Sequence, residues 1–413
     1  MLRSHVKQIT NFAGSAEIVE QRMPQSSQLP AIRIVSQVFY PSNQAMAIRV
    51  RHLADALIKA GYETSVLTSR LPGDTGRYQV KRLASPISTH RDGVYLRLFK
   101  ELLASLEIFI RVLFGPKRLY LISSPPFTMT SAAAMACRWR GLDYVFDVRD
   151  EYPDVYFSEG LASEQSTIGR MLRRIERANY RGAMMVSTVT DRIVDKIKER
   201  IPENQDKVTL VRNGFAPSIP WVSDVRKDPV TLLFHGNMGK FQAPEVLIQV
   251  AEKCQAMQLK VQFEVYGWGA QIDTIKSAAE RLNNLYYQGE IDHSDVPAII
   301  SKTTIGISFQ GNNEISQNSF PSKVMEFIGS GIPTLVTPIS EGGRFVEQHN
   351  IGKQFDPSDI DGIVQAIQAF IQGDSIESMR EKMLPLRESL SRSSISDEFV
   401  RALSDQLQSS SRS

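Results

Sequence analysis

Apolar runs of strand length alternate with helix-spaced apolar positions along the chain. Residues 31–39 are rich in apolar residues, residues 45–60 carry apolar positions at helical spacing up to Gly61, and residues 63–68 form the next apolar run. This strand–helix–strand order predicts a doubly wound α/β unit. Because the same order restarts at residue 230, the pattern predicts two such units in one chain.

The length of 413 residues also favours two units, since single hydrophobic cores stop growing beyond about 250–300 residues. A polar, aperiodic leader at residues 1–30 is expected to be loose, and a Pro- and Ser-rich linker at residues 215–228 separates the halves. The predicted parts are an N-terminal domain at 31–214, a C-terminal domain at 229–390, and a C-terminal helix with its tail at 391–413.

Composition and cysteine usage narrow the class of protein. A hydrophobic fraction of 42% with 23% charged residues is typical of a soluble globular protein. Cys137 and Cys254 form no Cys-x-x-Cys motif, and the six histidines form no His-Glu-x-x-His motif, so neither disulfides nor a metal site is expected. No signal peptide is visible, and the charge-free run at residues 119–137 is predicted to be strand, loop and helix rather than a membrane span. We therefore expect a protein of the reducing cytoplasm.

Charge is distributed unevenly between the two halves. Residues 1–220 contain 31 Lys and Arg against 21 Asp and Glu, a net charge of +10, and the remainder contains 17 against 24, a net charge of −7. A basic N-terminal half suits an anionic membrane surface or a phosphate-bearing acceptor. Nucleic acid would attract the same charge, but no nucleic-acid-binding motif accompanies it, so we expect no nucleic-acid partner. Solvated charge without a partner remains the alternative.

One amphipathic segment bears on the membrane question. Residues 99–114 alternate apolar stripes with charged positions and are followed by Lys117 and Arg118. Such a helix packs on its own sheet by default. The alternative is a helix that lies on the membrane interface, which would make the protein peripheral at the cytoplasmic face of the inner membrane.

The strongest chemical signal lies at residues 319–337, which are predicted to be a loop, a short helix, a glycine turn and a buried strand. Pro321 suits the first helical turn, Ser322 can cap backbone donors, and Gly331 stops the helix. Lys323 and Glu326 are three positions apart and share one side of that turn. A helix N-terminus beside a lysine can hold phosphate, and the carboxylate can accept hydrogen bonds from sugar hydroxyls. The alternative is a solvated surface pair.

The motif Pro321-Ser322-Lys323-x-x-Glu326-Phe327-x-x-Ser330-Gly331-x-Pro333 resembles the C-terminal signature of family 4 retaining glycosyltransferases of the GT-B fold, in the branch that builds bacterial surface polysaccharides. The resemblance implies two Rossmann-like doubly wound domains that face each other across a cleft. It also implies transfer of a sugar from a nucleotide diphosphate, with a UDP-sugar favoured, to a hydroxyl of a glycan or lipid-linked glycan. Neither a metal nor a further cofactor is expected, and the last helix of this fold often crosses back to the N-terminal domain.

The resemblance assigns the donor to the C-terminal half. Glu326 inherits the ribose-binding role, whereas Asn318 stands where the family carries a first glutamate. Gly236 and Gly239 follow a predicted strand and would let backbone donors approach a diphosphate, whose charge Lys240 would balance. The predicted donor-binding residues are Gly236, Asn237, Gly239, Lys240, Gly267, Trp268, Gly289, Ile291, Asn318, Pro321, Ser322, Lys323 and Glu326.

The acceptor is assigned to the N-terminal half. The segment Asp147 to Asp154 resembles the Asp-x-Arg-Asp-x-x-Pro segment of the polysaccharide branch, in which Arg149 would bind a phosphate or carboxylate and Asp150 would receive a hydroxyl proton. A structural pair that closes the sheet edge is the alternative. Arg49 is expected either on the surface or in the cleft. The predicted acceptor-side residues are Ser42, Asn43, Gln44, Arg149 and Asp150, and those predicted to act in catalysis are Arg149, Asp150, Lys240 and Lys323.

Two rival functions share the predicted architecture. A nucleotide-sugar epimerase would act on the donor without an acceptor, and a non-enzymatic two-lobed binding protein would hold a solute between its domains. A dinucleotide-dependent dehydrogenase is disfavoured, because the glycine turn at residues 267–269 has Ile272 at the third glycine position of the fingerprint.

Overall fold

The computed structural model describes residues 29–410 except residues 43, 70–72, 87–92, 225–227, 293 and 373–375. The loose leader expected at residues 1–30 therefore lies almost wholly outside the described residues, as does the acceptor-side candidate Asn43.

The N-terminal unit is built on a parallel sheet. Its strands are β1 (Ile32–Ser36), β2 (Thr64–Thr68), β3 (Gln79–Arg82), β4 (Leu119–Ser123), β5 (Tyr144–Val148), β6 (Met185–Thr188) and β7 (Val208–Leu210). Its helices are α1 (Ala45–Lys59), α2 (Val94–Leu113), α3 (Phe127–Arg140), α4 (Asp154–Ser158), α5 (Thr167–Gly182) and α6 (Asp191–Arg200), with a 3-10 helix at Pro202–Lys207. The strand order is β3-β2-β1-β4-β5-β6-β7, which reverses direction next to β1 as expected for a doubly wound sheet.

The C-terminal unit repeats this plan. Its strands are β8 (Val230–Asn237), β9 (Val261–Trp268), β10 (Leu285–Gly289), β11 (Ile305–Phe309), β12 (Thr334–Thr337) and β13 (Gly352–Gln354), in the order β10-β9-β8-β11-β12-β13. Its helices are α7 (Pro244–Ala256), α8 (Ile272–Ala279), α9 (Val296–Ile300), α10 (Glu314–Gln317), α11 (Ser322–Ser330), α12 (Glu341–Gln348), α13 (Ile360–Gln372) and α14 (Ile376–Ser389), and α15 (Arg392–Ser410) follows. The prediction of two doubly wound units is confirmed.

Burial on both faces explains why the strands are so apolar in sequence. All residues of β1, β2, β4 and β5 are buried, and so are all residues of β11 and β12. Parallel strands covered by helices on both sides lack the alternation of a half-exposed strand. The run at residues 119–137 is β4 followed by α3. Among the described residues, no helix has the length and apolarity that a membrane crossing requires.

The last helix returns to the N-terminal unit. Ile395, Phe399 and Leu403 of α15 join the same buried cluster as Leu53 of α1. Lys59 Nζ lies 2.9 Å from an Asp397 carboxylate oxygen, and Tyr62 and Ser404 hydroxyls are 3.2 Å apart. The two units are therefore joined twice, by the linker after β7 and by the segment between α14 and α15.

Candidate functional site

A cavity of about 370 Å³ lies between the two units, at the carboxyl ends of their strands. Ligands of open α/β sheets bind at this edge, where loops and helix N-termini converge. The N-terminal unit contributes Arg149, Asp150, Glu151, Asp154, Val155, Ser158, Glu159, Val189, Thr190, Ile193 and Asn213. The C-terminal unit contributes Lys240, Phe241, Asn313, Glu314, Ile315, Asn318, Ser319 and Phe320.

Arg149 and Asp150 reach the cavity from the end of β5. The backbone N–H of Arg149 donates to Ser124 Oγ at 3.2 Å, which fixes the turn. Its Nε and Nη1 are buried, and in the described part of the chain neither has a hydrogen-bond partner. Desolvation by the surrounding protein lowers the pKa of Arg149 and raises the pKa of Asp150, while each charge opposes the shift of the other. The pair thus offers a guanidinium with two nitrogens that have no hydrogen-bond partner in the described residues, and a carboxyl suited to accept a proton.

Arg49 lies neither on the surface nor in the cavity. Its Nη2 and Nε donate to the two Asp147 carboxylate oxygens at 2.7 and 3.1 Å, and both side chains are buried. Ser123 and Ser187 hydroxyls donate to the same carboxylate, each at 2.8 Å. Burial disfavours the Asp147 carboxylate, but the Arg49 charge and these hydrogen bonds outweigh it and lower the pKa. The surface alternative for Arg49 is therefore wrong, and the first aspartate of the predicted acceptor segment has a structural partner. Arg49 is not itself a lining residue, but its Nη1 donates to Asn213 Oδ1 at 3.4 Å, and Asn213 lines the cavity.

Polar contacts bridge the two units around the cavity. Glu151 pairs with Lys196 and accepts a hydrogen bond from Asn318 Nδ2 at 3.4 Å. Lys196 Nζ also donates to Glu314 Oε1 at 3.2 Å. Since Glu151 and Lys196 belong to the first unit and the other two residues to the second, these contacts hold the units in a closed arrangement.

The glycine turns of the second unit are shaped by close approach between two loops. Gly267 has a φ of +148°, and a Cβ atom there would lie 1.9 Å from the carbonyl oxygen of Gly236. Gly269 has a φ of +135°, and its Cβ atom would lie 2.5 Å from the carbonyl oxygen of Met238. These two glycines therefore allow the end of β9 and the turn after it to pack closely on the end of β8 and the turn after it. Gly236, with a φ of +103°, faces open space and leaves room at the backbone for a ligand.

Lys323 and Glu326 lie on α11, beyond the cavity lining. Lys323 Nζ is buried 3.5 Å from the centroid of the Phe234 ring, and among the described residues it has no hydrogen-bond partner. Burial lowers the pKa of Lys323 to about 7, although Glu326 opposes the shift. The alternative of a solvated surface pair is therefore wrong.

Glu326 is held by groups from two directions. Its carboxylate oxygens lie 3.3 Å from His235 Nε2 and 3.9 Å from Arg392 Nη2, and the residue is 4% exposed. Burial raises the pKa of Glu326 to about 7, and Arg392 and Lys323 oppose the shift. Arg392 is the first residue of α15, the helix that returns to the N-terminal unit. Its backbone N–H donates to Phe215 O at 3.0 Å, at the start of the linker between the units. The orientation of Glu326 is thus linked to the connection between the units.

The start of α11 differs from the expectation in one respect. Pro321 occupies the cap position, Ser322 is the first helical residue, and no side chain caps this helix. The capping role expected for Ser322 is therefore wrong, and the terminal N–H groups of α11 are left for other acceptors. Gly331 ends the helix with a φ of +74°, as expected.

The cavity is not lined by the predicted residues Gly289, Ile291, Trp268, Ser42 and Gln44. Gly289 ends β10 with a φ of +96° and Ile291 follows, at the same sheet edge as the loops after β8 and β9. Trp268 is exposed at the end of β9. Ser42 Oγ accepts a hydrogen bond from the Gln44 backbone N–H at 3.3 Å, and neither residue lines the cavity. Their roles stay predictions.

Nowhere in the described ranges do three His, Cys, Asp or Glu side chains form a group that could hold a metal.

One residue important for the closed arrangement, Glu341, had no recognised signal in the sequence. Glu341, the first residue of α12, accepts hydrogen bonds from the backbone N–H groups of Asp191 and Arg192 at 2.9 and 3.1 Å. It also accepts one from Arg212 Nη1 at 2.6 Å. An acidic residue at a helix start is ordinarily assigned to its own helix dipole. Only the tertiary structure shows that the Glu341 carboxylate instead binds the N-terminus of α6 in the other unit.

Comparisons with known proteins agree with this architecture. Residues 44–214 match the model of a glycosyl transferase 4-like domain, and residues 216–385 match that of glycosyl transferases group 1. No match was found among curated protein sequences.

Solved structures of glycosyltransferases have the same fold. WaaG, a glycosyltransferase involved in lipopolysaccharide biosynthesis, is 12% identical with a TM-score of 0.64, over 89% of this chain and 98% of WaaG. The pneumococcal O-GlcNAc transferase GtfA, solved with UDP and GlcNAc, is 12% identical with a TM-score of 0.64, over 92% and 99% of the two chains. HepE from Anabaena, solved with UDP, is 13% identical with a TM-score of 0.62, over 91% and 100%. With both family domains present in order on two facing doubly wound sheets, the chain belongs to the family 4 glycosyltransferases of the GT-B fold.

Proposed function

We propose that this glycosyltransferase moves a sugar from a UDP-sugar to a hydroxyl of a glycan or lipid-linked glycan, with retention of the anomeric configuration. The observation that carries the proposal is the cavity between the units, where Lys240 of one unit lines the same space as Arg149 and Asp150 of the other. A donor held by one unit and an acceptor held by the other would meet there. The setting would be surface-polysaccharide or glycoconjugate synthesis at the cytoplasmic face of the inner membrane.

The donor side supplies positive charge where a diphosphate would leave. Lys240 lines the cavity, Lys323 lies on α11, and the uncapped N-terminus of α11 adds backbone N–H groups. As the bond from sugar to phosphate breaks, negative charge grows on the departing diphosphate, so these groups stabilise the transition state more than the ground state. We propose that they replace a metal ion in this role. Glu326 would accept hydrogen bonds from the ribose hydroxyls.

Donor binding on this assignment requires the units to separate. Lys323 Nζ and the Glu326 carboxylate are buried in the closed arrangement, and Glu151, Lys196 and Glu341 make contacts that keep it closed. A nucleotide would enter an open form, and closure would then bring Arg149 and Asp150 to the sugar. Exclusion of water by closure would also limit hydrolysis of the donor.

On the acceptor side, Asp150 would take the proton from the attacking hydroxyl. Its raised pKa makes the carboxylate a better base than an ordinary aspartate. Arg149 would pair with an acceptor phosphate or carboxylate through the two buried nitrogens that have no partner in the described residues. Two of the similar structures were solved with UDP, and WaaG acts in lipopolysaccharide biosynthesis; both facts support the choice of donor and pathway.

The donor assignment is tested by the thermal stability of the protein with UDP-, GDP- and ADP-sugars. Binding to the folded state raises Tm by mass action, so we expect the largest rise with UDP compounds. Lys240→Ala should reduce that rise, whereas Lys276→Ala, at an exposed lysine of α8, should not. The absence of any rise with all three nucleotide classes would contradict the proposed function.

Transfer itself is tested with a radiolabelled donor that gave a thermal shift and a mixture of glycan acceptors. Asp150→Asn should lower the rate of transfer by about 10²-fold or more while leaving the thermal shift intact, since it removes a proton acceptor that does not bind the nucleotide. Isomerisation of the donor sugar without any acceptor would instead support an epimerase. Donor binding without either reaction would support a two-lobed binding protein.

A further inference from the structure

Helix α2 has two apolar faces, and only one of them packs against the protein. Ala104, Ile108 and Val112 are buried in the core cluster that α2 shares with α3 and the sheet. The opposite face carries a second apolar stripe at helical spacing, which is 45–90% exposed. This outer stripe consists of Tyr95, Phe99, Leu102, Leu106 and Ile110. A surface helix ordinarily has polar residues there.

The exposed apolar surface extends beyond the stripe. Phe114, which follows α2, is 81% exposed, and Trp139 of α3 is 68% exposed. The Trp139 ring packs edge-on against Phe109 of α2, with 5.2 Å between ring centroids, so α3 continues the surface of α2. Single exposed apolar side chains are common, but a contiguous patch along a 20-residue helix marks a binding surface.

The charge around this surface is positive. Residues 94–140 contain seven Lys and Arg against two Asp and Glu. Those two acids, Glu101 and Glu107, are paired with Arg97 and Arg111 of the same helix at 3.1 and 2.6 Å. Arg118 is paired with Glu63 at 2.8 Å, and the other basic residues of this range are Lys100, Lys117, Arg138 and Arg140. The charge of this region is therefore basic, as a surface that meets anionic headgroups requires. A second copy of the chain would instead bring two positive surfaces together, which disfavours self-association through this face.

The N-terminal half of α2 lies beside the segment that follows β5. Arg97 is an electrostatic neighbour of Tyr152 and Tyr156, whose rings are 4.9 Å apart. Those tyrosines lie in the segment after β5 that supplies Asp150 and Val155 to the cavity lining. Because Arg97 pairs with buried Glu101 on the inner side of α2, a partner bound along the outer stripe would be separated from this segment by about the width of the helix, ~10 Å.

We propose that the outer face of α2, with Phe114 and Trp139, docks on an anionic lipid bilayer, and that the acceptor is carried by a lipid in that bilayer. The helix lies in the interface plane with its apolar stripe among the acyl chains. Aromatic side chains at the ends of α2 and on α3 sit at headgroup depth, where amphipathic rings are favoured. The statement about the acceptor rests on the proposed glycosyl transfer, whereas the docking surface does not.

The docking surface is tested by cosedimentation of the full chain with vesicles of phosphatidylglycerol and phosphatidylethanolamine. We expect the wild type to bind these vesicles, to bind phosphatidylcholine vesicles weakly, and to lose affinity as salt is raised, because the charge attraction is screened. The double variant Leu102→Glu/Leu106→Glu should bind at least tenfold more weakly. The matched control is Leu384→Glu/Met257→Glu, which places two glutamates at exposed apolar positions of the C-terminal unit. Leu102→Gln/Leu106→Gln repeats the test without added charge.

Two outcomes would overturn the docking surface: no vesicle binding by the wild type, or equal binding by the α2 variants and the control. If light scattering shows a wild-type dimer that the α2 variants convert to monomer while vesicle binding stays unchanged, a second copy covers this face and the proposal is wrong. A UDP-induced thermal shift that is equal in wild type and variants shows that the α2 variants fold and that the donor site is intact.

The acceptor class is tested by comparing a sugar on a long alkyl chain in vesicles with its water-soluble methyl glycoside. The α2 variants should lose at least tenfold of the transfer rate to the vesicle-borne acceptor and retain transfer to the soluble one. Equal loss for both acceptors would overturn the lipid-borne class. Failure of the wild type to bind UDP-sugars would count against the proposed function and leave the vesicle result standing.

Discussion

Glu341 accepts a hydrogen bond from Arg212 at 2.6 Å across the boundary between the two units. The same carboxylate accepts the backbone N–H groups of Asp191 and Arg192 at the start of α6. A carboxylate at a helix N-terminus is favoured by the helix dipole as well as by the hydrogen bonds. Glu341 therefore connects the second unit to the first at a buried position, and the strength of this connection bears on how easily the cleft opens.

Replacement of Glu341 should favour the open form. Hydrogen bonds to charged groups contribute about 1.5–3 kcal/mol each, so Glu341→Gln should shift the closure equilibrium by about 2 kcal/mol, or roughly thirtyfold, toward opening. Small-angle X-ray scattering should show a larger radius of gyration than for the wild type in the absence of donor. Glu347→Gln is the control, since that residue lies on the same helix and bonds to Gln354 within its own unit. An unchanged scattering profile in Glu341→Gln would show that this contact does not hold the cleft closed.

Removal of one partner of the buried pair of Arg49 and Asp147 should greatly lower the stability of the protein. Breaking a buried pair leaves an uncompensated charge, so Arg49→Met should lower the free energy of unfolding by about 3–5 kcal/mol. Arg49→Met/Asp147→Leu should be less destabilised than the single variant, because no charge is left unpaired. Urea unfolding measures both, and Asp273→Asn in an exposed pair should cost about 1 kcal/mol or less.

The same pair should contribute to the loss of protein stability at acid pH. The pKa of Asp147 is lower in the folded protein than its ordinary value of about 3.9. Its contribution to stability is therefore fully present above that ordinary value and is lost as pH falls through the folded pKa. Asp147→Asn should show a shallower loss of stability than the wild type below about pH 4. Parallel acid unfolding curves would mean that other carboxylates dominate.

The architecture was predictable from the sequence because buried parallel strands leave apolar runs that need no tertiary information. Arg149 and Asp150 were predictable as a cavity pair, since a motif after a strand places them at the ligand-binding edge of the sheet. The partners of the buried charged side chains were not predictable from the sequence. Arg49 reaches Asp147 across 98 positions of sequence, and Glu341 reaches Arg212 across 129. Such pairs depend on how helices pack and on how the units meet, which local patterns do not encode.

The burial of Lys323 should lower the stability of the protein in the absence of a ligand. Its pKa of about 7 lies below the ordinary lysine value of about 10.4, because burial disfavours the charged form. Between these values the unfolded chain binds more protons than the folded one, so stability rises with pH across that window. Lys323→Met should raise Tm by a few degrees at neutral pH and flatten this rise, whereas Lys276→Met should do neither. Differential scanning calorimetry across pH measures both effects.

The same titration should appear in nucleotide binding. If the proposed donor site is right, a diphosphate binds the charged form of Lys323, and the affinity for UDP should fall by up to about tenfold per pH unit above pH 7. Lys323→Met should bind UDP more weakly at pH 7, and its affinity for UDP should no longer fall as the pH is raised above 7. Isothermal titration calorimetry with UDP provides the measurement. If the affinity of Lys323→Met for UDP still fell above pH 7, a group other than Lys323 would cause the pH dependence.

Restoring the family's glutamate at position 318 should impair this enzyme. Asn318 Nδ2 donates to Glu151 Oε1 at 3.4 Å across the cavity, so Asn318→Glu would place two carboxylates side by side. Like charges at this distance repel, which should raise the KM for donor and acceptor together by opening the cleft. Asn318→Glu/Glu151→Gln removes the repulsion and should recover at least tenfold in kcat/KM relative to Asn318→Glu. Glu151→Gln alone reports the separate effect of losing the Lys196 pair. If Asn318→Glu alone raised kcat/KM, a glutamate at this position would favour the reaction, and the contact with Glu151 would be incidental.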